Sequence, residues 1–206
     1  MDVQKVREEF PILHRKVYLN SCSLGALSLR ATSYLETFQD QWHDLGASAW
    51  YGPWWERLSD LRGRVGRFLG ASENELALLP STSAALSVIA ESVDYTKRNR
   101  VICTELDFPT LAYQWVVKPG VELVVLPSHD GISVDPEQFA GAVDGRTAFL
   151  ATSHVLYTTG YIQDLKALAD IAHGAGAYFL VDGYQAPGQI PVDVKACEAD
   201  FYTAGP

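Results

Sequence analysis

Apolar positions along the chain change rhythm near Trp54. Ahead of it the pattern predicts a short polar helix ended by Phe10-Pro11, then an extended piece at Val17-Tyr18-Leu19 closed by Asn20-Ser21 and Gly25. A longer helix is expected from Leu29 to Asp44, with Gly46 as its stop. From Trp54 onward helical and strand patterns alternate. Helices are expected over Trp54–Leu69, Thr82–Val93, Thr110–Val117, Pro136–Val143 and Asp164–His173. Strands are expected over Leu76–Leu79, Arg100–Thr104, Val121–Leu126, Thr147–Thr152 and Ala177–Val181, with another beginning at Phe201–Thr203. The strands are short and apolar and lack clean two-residue alternation, which is how strands buried on both faces read. Alternation with helices implies right-handed crossovers. The fold class expected is α/β, a mostly parallel sheet covered by helices on both faces. The division expected is a helical segment over residues 1–53 and an α/β domain over 54–206. Four tryptophans, Trp42, Trp50, Trp54 and Trp55, fall within fourteen residues around Gly46 and Gly52-Pro53. Such a cluster reads either as a packing layer or as the lining of a substrate or partner surface.

Composition narrows the partners. The chain has 206 residues, and 16 Lys plus Arg against 25 Asp plus Glu leave a formal charge of −9. An acidic chain lacks the basic face that phosphate-tracking nucleic-acid binders need, and it does not favour an anionic membrane surface. No apolar run approaches the roughly 18 residues of a membrane span, and the N-terminal residues show no basic start followed by an apolar stretch. The three cysteines, Cys22, Cys103 and Cys197, are far apart and odd in number. That fits neither a disulfide framework nor a zinc spacing, and it suits a reducing, cytoplasmic setting.

In sheets of this kind ligands bind at the carboxyl ends of the strands. The informative residues are therefore those just after each strand. Ser81-Thr82-Ser83-Ala84-Ala85 opens a helix, where free N–H groups and the positive dipole end suit an anion and the hydroxyls can donate to it. The plainer reading is an ordinary N-cap. Asp182 ends the strongest strand pattern; a carboxylate there needs a metal, a cationic side chain or a protonated ring nitrogen, unless it merely caps the next turn. Gln185 adds an amide to the same rim. Pro109 restricts Phe108 to extended geometry, which sends Phe108 either to the ligand edge or into the core. An anion cup, a carboxylate, an amide and an aromatic face together suit a planar phosphorylated heteroaromatic ring. A dinucleotide is disfavoured, because the lone Gly-x-Gly, Gly174-Ala175-Gly176, follows a helix and precedes a strand. No Gly-Lys-Ser/Thr of a P-loop occurs.

These stretches resemble the class V aminotransferase family of fold type I pyridoxal-phosphate enzymes, which includes cysteine desulfurases, selenocysteine lyases, isopenicillin-N epimerases and kynureninases. The most specific match is Val181-Asp182-Gly183-Tyr184-Gln185, followed by Asp200-Phe201-Tyr202-Thr203-Ala204-Gly205. Ser81-Thr82-Ser83-Ala84-Ala85-Leu86 is similar to the family's phosphate turn, and Phe108-Pro109-Thr110 and Ser153-His154-Val155 with Gly160 add to it. The resemblance implies the large domain of that fold, with pyridoxal 5′-phosphate as cofactor, an amino acid as substrate and a homodimer as assembly. It implies transaldimination and then cleavage at or near Cα, as a transferase or lyase. Asp182 would pair with the ring nitrogen and Gln185 with the phenolic oxygen. Phe108 would stack on the ring, and Thr82 and Ser83 would hold the phosphate. His154 falls near the ring in the family pattern, either with a role there or as a structural residue.

The departures blur the branch. Phe108-Pro109-Thr110 looks like kynureninases and epimerase-like members, whereas Gln185 looks like desulfurases and epimerases. Tyr157 stands where desulfurases tend to have Asn. The family's Schiff-base lysine follows the Asp-Phe-Tyr strand by about eight residues, beyond Pro206. None of the six lysines, Lys5, Lys16, Lys97, Lys118, Lys166 and Lys195, suits that role, and each reads as a solvated surface charge. The expectation is an N-terminal part of a longer enzyme, C-terminally truncated within its large domain and inactive by itself. The alternatives are a desulfurase or selenocysteine lyase proper, or a lysine-free, non-catalytic binding domain.

Overall fold

The structure is a computed structural model that describes residues 2–205. It falls into two compact units, with the division between Arg64 and Val65.

The first unit is helical. Helix α1 spans Val3–Glu8 and is capped by Asp2, whose side chain accepts from the Gln4 and Lys5 amides. Helix α2 spans Leu29–Leu45, with Ser28 as N-cap and Gly46, at φ +53°, as its stop. Helix α3 spans Pro53–Leu69 and crosses the boundary between the units. The run Val17–Leu19 forms no strand; Val17 and Leu19 are 88% exposed, and no strand among the described residues offers that backbone a ladder. Trp42, Trp50 and Trp54 pack together, Trp54 stacking on Phe38 at 4.9 Å between centroids and meeting Trp50 edge-on at 5.1 Å and Trp42 at 6.4 Å, while Trp55 is 68% exposed. Trp42, Trp50 and Trp54 line a cavity of about 760 Å³ together with Tyr34 and Arg57, whose guanidinium stands 5.2 Å over the Tyr34 ring. Within this unit the rings both pack together and line a hollow.

The second unit carries the sheet. In chain order it contains α4 (Thr82–Glu91), β1 (Arg100–Thr104), α5 (Pro109–Val116), β2 (Glu122–Leu126), α6 (Pro136–Ala142), β3 (Thr147–Ser153), α7 (Leu165–Gly174), β4 (Tyr178–Asp182) and β5 (Phe201–Thr203). All neighbours pair in parallel, in the order β2-β1-β3-β4-β5. Successive strand residues point to opposite faces, and both faces are covered. Ile102, Leu150, Phe179 and Val181 pack with Phe139 of α6 and with Leu165, Leu168, Ala169 and Ala172 of α7. Val101, Cys103, Phe149, Ala151 and Leu180 pack on the other side with Leu86 and Ala90 of α4 and Leu111 and Trp115 of α5. The α7 positions follow the 3, 4, 7 spacing of a helix stripe, and Asp164 caps the helix by accepting from the Ala167 amide.

Leu76–Leu79, expected as a strand, pairs with no strand among the described residues. The segment leaves a turn whose Ser72 and Glu75 form a reciprocal capping box, and Leu78 and Leu79 stay more than 40% exposed. Apolar composition suits an extended backbone there, but a strand also needs a neighbour for its N–H and C=O groups.

The order in which strands are added reverses at β1 and β3: the connection from β1 leads outward to β2, and the next strand, β3, lies on the other side of β1. Asp107 sits at that switch point, buried, and ties the two strand ends together. One carboxylate oxygen accepts from the Thr104 amide at 2.8 Å and hydroxyl at 2.9 Å. The other accepts from the Ser153 amide at 2.6 Å and the Thr152 hydroxyl at 3.1 Å. Gln163 closes the network by donating to the Thr152 hydroxyl at 2.7 Å and the Ser153 carbonyl at 2.5 Å. Burial pushes the Asp107 carboxyl up, against these hydrogen bonds. Asp107→Asn turns one acceptor into an N–H₂ that faces a backbone N–H, so it is expected to destabilise the protein by about 2 kcal/mol. Chemical denaturation checks this; an unchanged midpoint contradicts the brace.

Candidate active site

The carboxyl ends of β1, β3 and β4 meet the start of α4 through a connected set of hydrogen bonds. Helix α4 begins at Thr82 because Ser81 takes the N-cap, its hydroxyl accepting from the Ala84 amide at 3.1 Å. Ser81 is therefore spent on the helix, as the plainer sequence reading had it. The next two hydroxyls are not. Thr82 Oγ1 is buried and has no hydrogen-bond partner among the described residues. Ser83 Oγ lies 2.9 Å from Thr110 Oγ1 in the first turn of α5. Two helix N-termini thus converge, and a buried hydroxyl among them is left unsatisfied, which favours an anion there.

Phe108 is the N-cap residue of α5, held extended ahead of Pro109. It is 48% exposed, and its ring meets Tyr157 edge-on at 5.1 Å. It lies at the ligand edge and not in the core, because Asp107 beside it anchors the loop to β3.

Asp182 ends β4 opposite Ser153 of β3 and Thr203 of β5. It is 4% exposed. Its carboxylate accepts from the Tyr184 amide at 3.0 Å, with a weaker contribution from the Thr203 hydroxyl. No ion pair neutralises it among the described residues. Burial pushes its carboxyl up to about 6, and the neighbouring charge of Asp107 adds to the shift. A carboxylate in this state is unfinished until a cation or an N–H donor reaches it. Gln185 lies on the turn closed by the Ala186 amide and the Gly183 carbonyl at 2.9 Å. Its side-chain amide makes no hydrogen bond among the described residues.

His154 follows β3 and is bolted to the same edge: its amide donates to the Asp182 carbonyl at 2.9 Å, and its carbonyl accepts from the Gln163 amide at 3.0 Å. Its Nδ1 is 2.9 Å from the Tyr202 hydroxyl. Burial lowers the proton affinity of this imidazole.

Bonds therefore connect Ser83, Thr110, the Asp107–Phe108 loop, Ser153, His154 and Asp182 along one edge, with Thr82 and Gln185 beside them in sequence. The sequence reading missed Asp107, Gln163 and Tyr202. Asp107 carried a usable signal, an acid three residues past a strand end and just ahead of Phe108-Pro109. Nothing local marks Gln163, and Tyr202 stands in the matched Asp200–Gly205 stretch without a role of its own. Three of the lysines meet acids: Lys166 with Asp170 and Lys195 with Glu75 remain exposed surface charges, whereas Lys118, paired with Glu91 and 5.7 Å over the Tyr95 ring, is largely covered. No group of His, Cys, Asp and Glu suited to a metal occurs among the described residues, and no helix there is long and apolar enough to cross a membrane.

Comparison with known proteins adds an independent line. An uncharacterized aminotransferase, YcbU, of Bacillus subtilis is 32% identical over 206 residues, covering 98% of this chain and 54% of that protein. A kynureninase of Pseudomonas fluorescens is 30% identical, over 95% of this chain and 49% of its own length. The chain spans about half the length of the curated relatives it matches. In fold it is similar to the cystine C-S lyase C-DES in complex with its reaction product cysteine persulfide, with a TM-score of 0.85 at 19% identity, over 95% of this chain and 54% of that one. The model of the family described as Aminotransferase class-V matches residues 30–206. On that match, which takes in the whole sheet and every residue of the site, the chain belongs to the aminotransferase class-V family.

Proposed function

We propose that this edge holds pyridoxal 5′-phosphate and that the protein acts on an amino acid with it. The observation that carries the reading is the pairing of two unmet demands: a buried hydroxyl without a partner at Thr82 and a buried carboxylate without a counter-charge at Asp182. Pyridoxal phosphate offers an anion for the first and a protonated ring nitrogen for the second, with a flat ring for Phe108. A structure of a C-DES mutant, 0.86 in TM-score and 19% identical over 96% of this chain and 54% of that one, has glycine covalently linked to its PLP cofactor, which supports the same reading.

In this assignment Thr82 and Ser83 donate to the phosphate, with the α4 N-terminus behind them. Asp182 accepts the ring N–H and keeps that nitrogen protonated, Phe108 covers one ring face, and Gln185 donates to the phenolic oxygen. His154 lies beside Asp182 as a neutral group. When bound, the ring serves as an electron sink for the substrate's Cα. Transaldimination followed by cleavage at or near Cα is the reaction class we assign. Desulfurase or selenocysteine lyase chemistry is the second reading, supported by the 29% identity to a probable cysteine desulfurase of Methanothermobacter thermautotrophicus, over 98% of this chain and 52% of that protein. None of the six lysines is bonded into the site, and Lys118, Lys166 and Lys195 are engaged with acids elsewhere. We therefore assign these 206 residues, on their own, non-covalent binding without turnover. To this reading belong a homodimer, on the family resemblance, and a cytoplasmic setting, on the three scattered cysteines; the acidic composition disfavours nucleic acid and anionic membrane as partners.

Asp182→Asn separates function from stability. The folded carboxyl is raised, so the native state holds its proton up to about pH 6 while the unfolded chain releases it near pH 4. Wild-type stability contributed by this group therefore falls as pH rises from about 4 to 6 and stays low above. The Asn variant escapes that loss and is expected to be roughly 1–3 kcal/mol more stable than wild type at pH 8, with no advantage near pH 3. Its affinity for pyridoxal phosphate, read by absorbance titration, should drop at least about tenfold. Wild-type affinity in the variant would refute the assignment. Thr82→Ala should weaken pyridoxal phosphate while leaving pyridoxal, which lacks the phosphate, unaffected; equal losses for both would place the phosphate elsewhere.

A further inference from the structure

We propose that Tyr202 is a positioning residue for His154: its phenol donates to Nδ1 and so presents the imidazole as a neutral group whose Nε2 carries the proton, a donor for an anionic or carbonyl oxygen of the ligand. The Nδ1–hydroxyl distance is 2.9 Å and the rings meet edge-on, at 6.0 Å and 86°. Neither group has another side-chain hydrogen bond among the described residues, so the direction of this one fixes the tautomer. Were Nδ1 the donor, the phenol proton would be left unpaired in a half-buried place.

Charge agrees with that direction. Burial lowers the proton affinity of His154 and raises that of Tyr202, and the nearby Asp182 carboxylate raises the phenol further. Both rings are thus neutral at pH 7, and the phenol keeps its proton to donate. The titratable groups around the pair are Asp182 at the end of β4, Asp107 behind it and Cys197 ahead of β5. Imidazolium in this place is disfavoured by burial even with the carboxylates near.

The backbone is arranged for the contact. Tyr202 pairs in register with Val181, one residue before Asp182. Gly183 follows, and a Cβ there would be driven into the Tyr202 ring. The His154 peptide is fixed on one side by the Asp182 carbonyl and on the other by the Gln163 amide. Gly183, Tyr202 and His154 therefore form one unit assembled from three strand ends. This inference deepens the cofactor reading and rests on it for the identity of the ligand, but not for the tautomer.

The test is nitrogen NMR of the protein with 15N-labelled histidine, with His154→Asn to assign the resonance among the five histidines. In the unliganded wild type at pH 8, His154 is expected to show a bare Nδ1 and a protonated Nε2. Tyr202→Phe keeps the ring against Gly183 and removes the hydroxyl alone. It should shift the Nδ1 resonance and raise the His154 titration midpoint while the variant keeps a cooperative thermal transition, because the neutral form loses its hydrogen bond. A protonated Nδ1 in wild type, or an Nδ1 shift and midpoint indifferent to Tyr202→Phe, overturns the proposal. Titration with pyridoxal phosphate supplies the second readout. Tyr202→Phe and His154→Asn are each expected to weaken binding by about 5- to 10-fold, and the double variant no further. Additive losses would show that Tyr202 does not act through His154. If wild type binds no pyridoxal phosphate, the cofactor reading fails while the nitrogen spectra still decide the tautomer.

Discussion

A carboxylate removed from water needs either enough donors or a counter-charge, and the two at the ligand edge of this sheet take different routes. Asp107 is surrounded by two backbone amides and two hydroxyls, which offset part of the burial that pushes its carboxyl up. Asp182 has the Tyr184 amide and little else, and its carboxyl rises to about 6. The first arrangement is complete and serves structure. The second has one amide donor and no counter-charge among the described residues, so its ionised form is disfavoured in the protein alone. The rest of the site is organised around that difference.

The brace also explains how residues far apart in sequence come to share one edge. Asp107 links the end of β1 to the end of β3, which fixes the loop bearing Phe108 and the first turn of α5. Thr110 then reaches Ser83 on α4, and Ser153 and His154 reach Asp182 on β4. Each link lies at a strand end or a helix N-terminus, where backbone groups have no regular partner. A parallel sheet with helices on both faces leaves such groups concentrated at its carboxyl edge, so an anion-binding turn and a buried acid can be assembled there without disturbing the core.

Stability and ligand binding pull against each other at Asp182. A shift of roughly two pKa units corresponds to about 3 kcal/mol of preference for the neutral acid in the folded chain, a large share of the roughly 5–15 kcal/mol that ordinarily holds a domain together. A carboxylate kept in such a place has a physical reason if a cationic group is to meet it, as in the proposed pairing with a ring nitrogen. His154 and Tyr202 show the opposite policy, since burial leaves both neutral and the hydrogen bond between them carries no charge to neutralise.

Much of this was legible in the sequence. Doubly buried strands announce themselves by apolar runs without alternation, and β1 and β5 fall where the pattern put them, Arg100–Thr104 and Phe201–Thr203. The edge residues Thr82, Phe108, His154 and Asp182 could be named because parallel sheets bind ligands at one end and because their motifs resemble a known family. Leu76–Leu79 and Val17–Leu19 could not be resolved in the same way: composition sets whether a segment is willing to be extended, but a strand exists only if another strand accepts its hydrogen bonds. Asp107 as a brace, the spending of Ser81 on a helix cap while Thr82 stays unsatisfied, and the seating of Tyr202 on Gly183 against His154 were decided by tertiary structure alone. Each depends on which strand lies beside which, and the order β2-β1-β3-β4-β5 is a property of the packed sheet that no local stretch of residues contains.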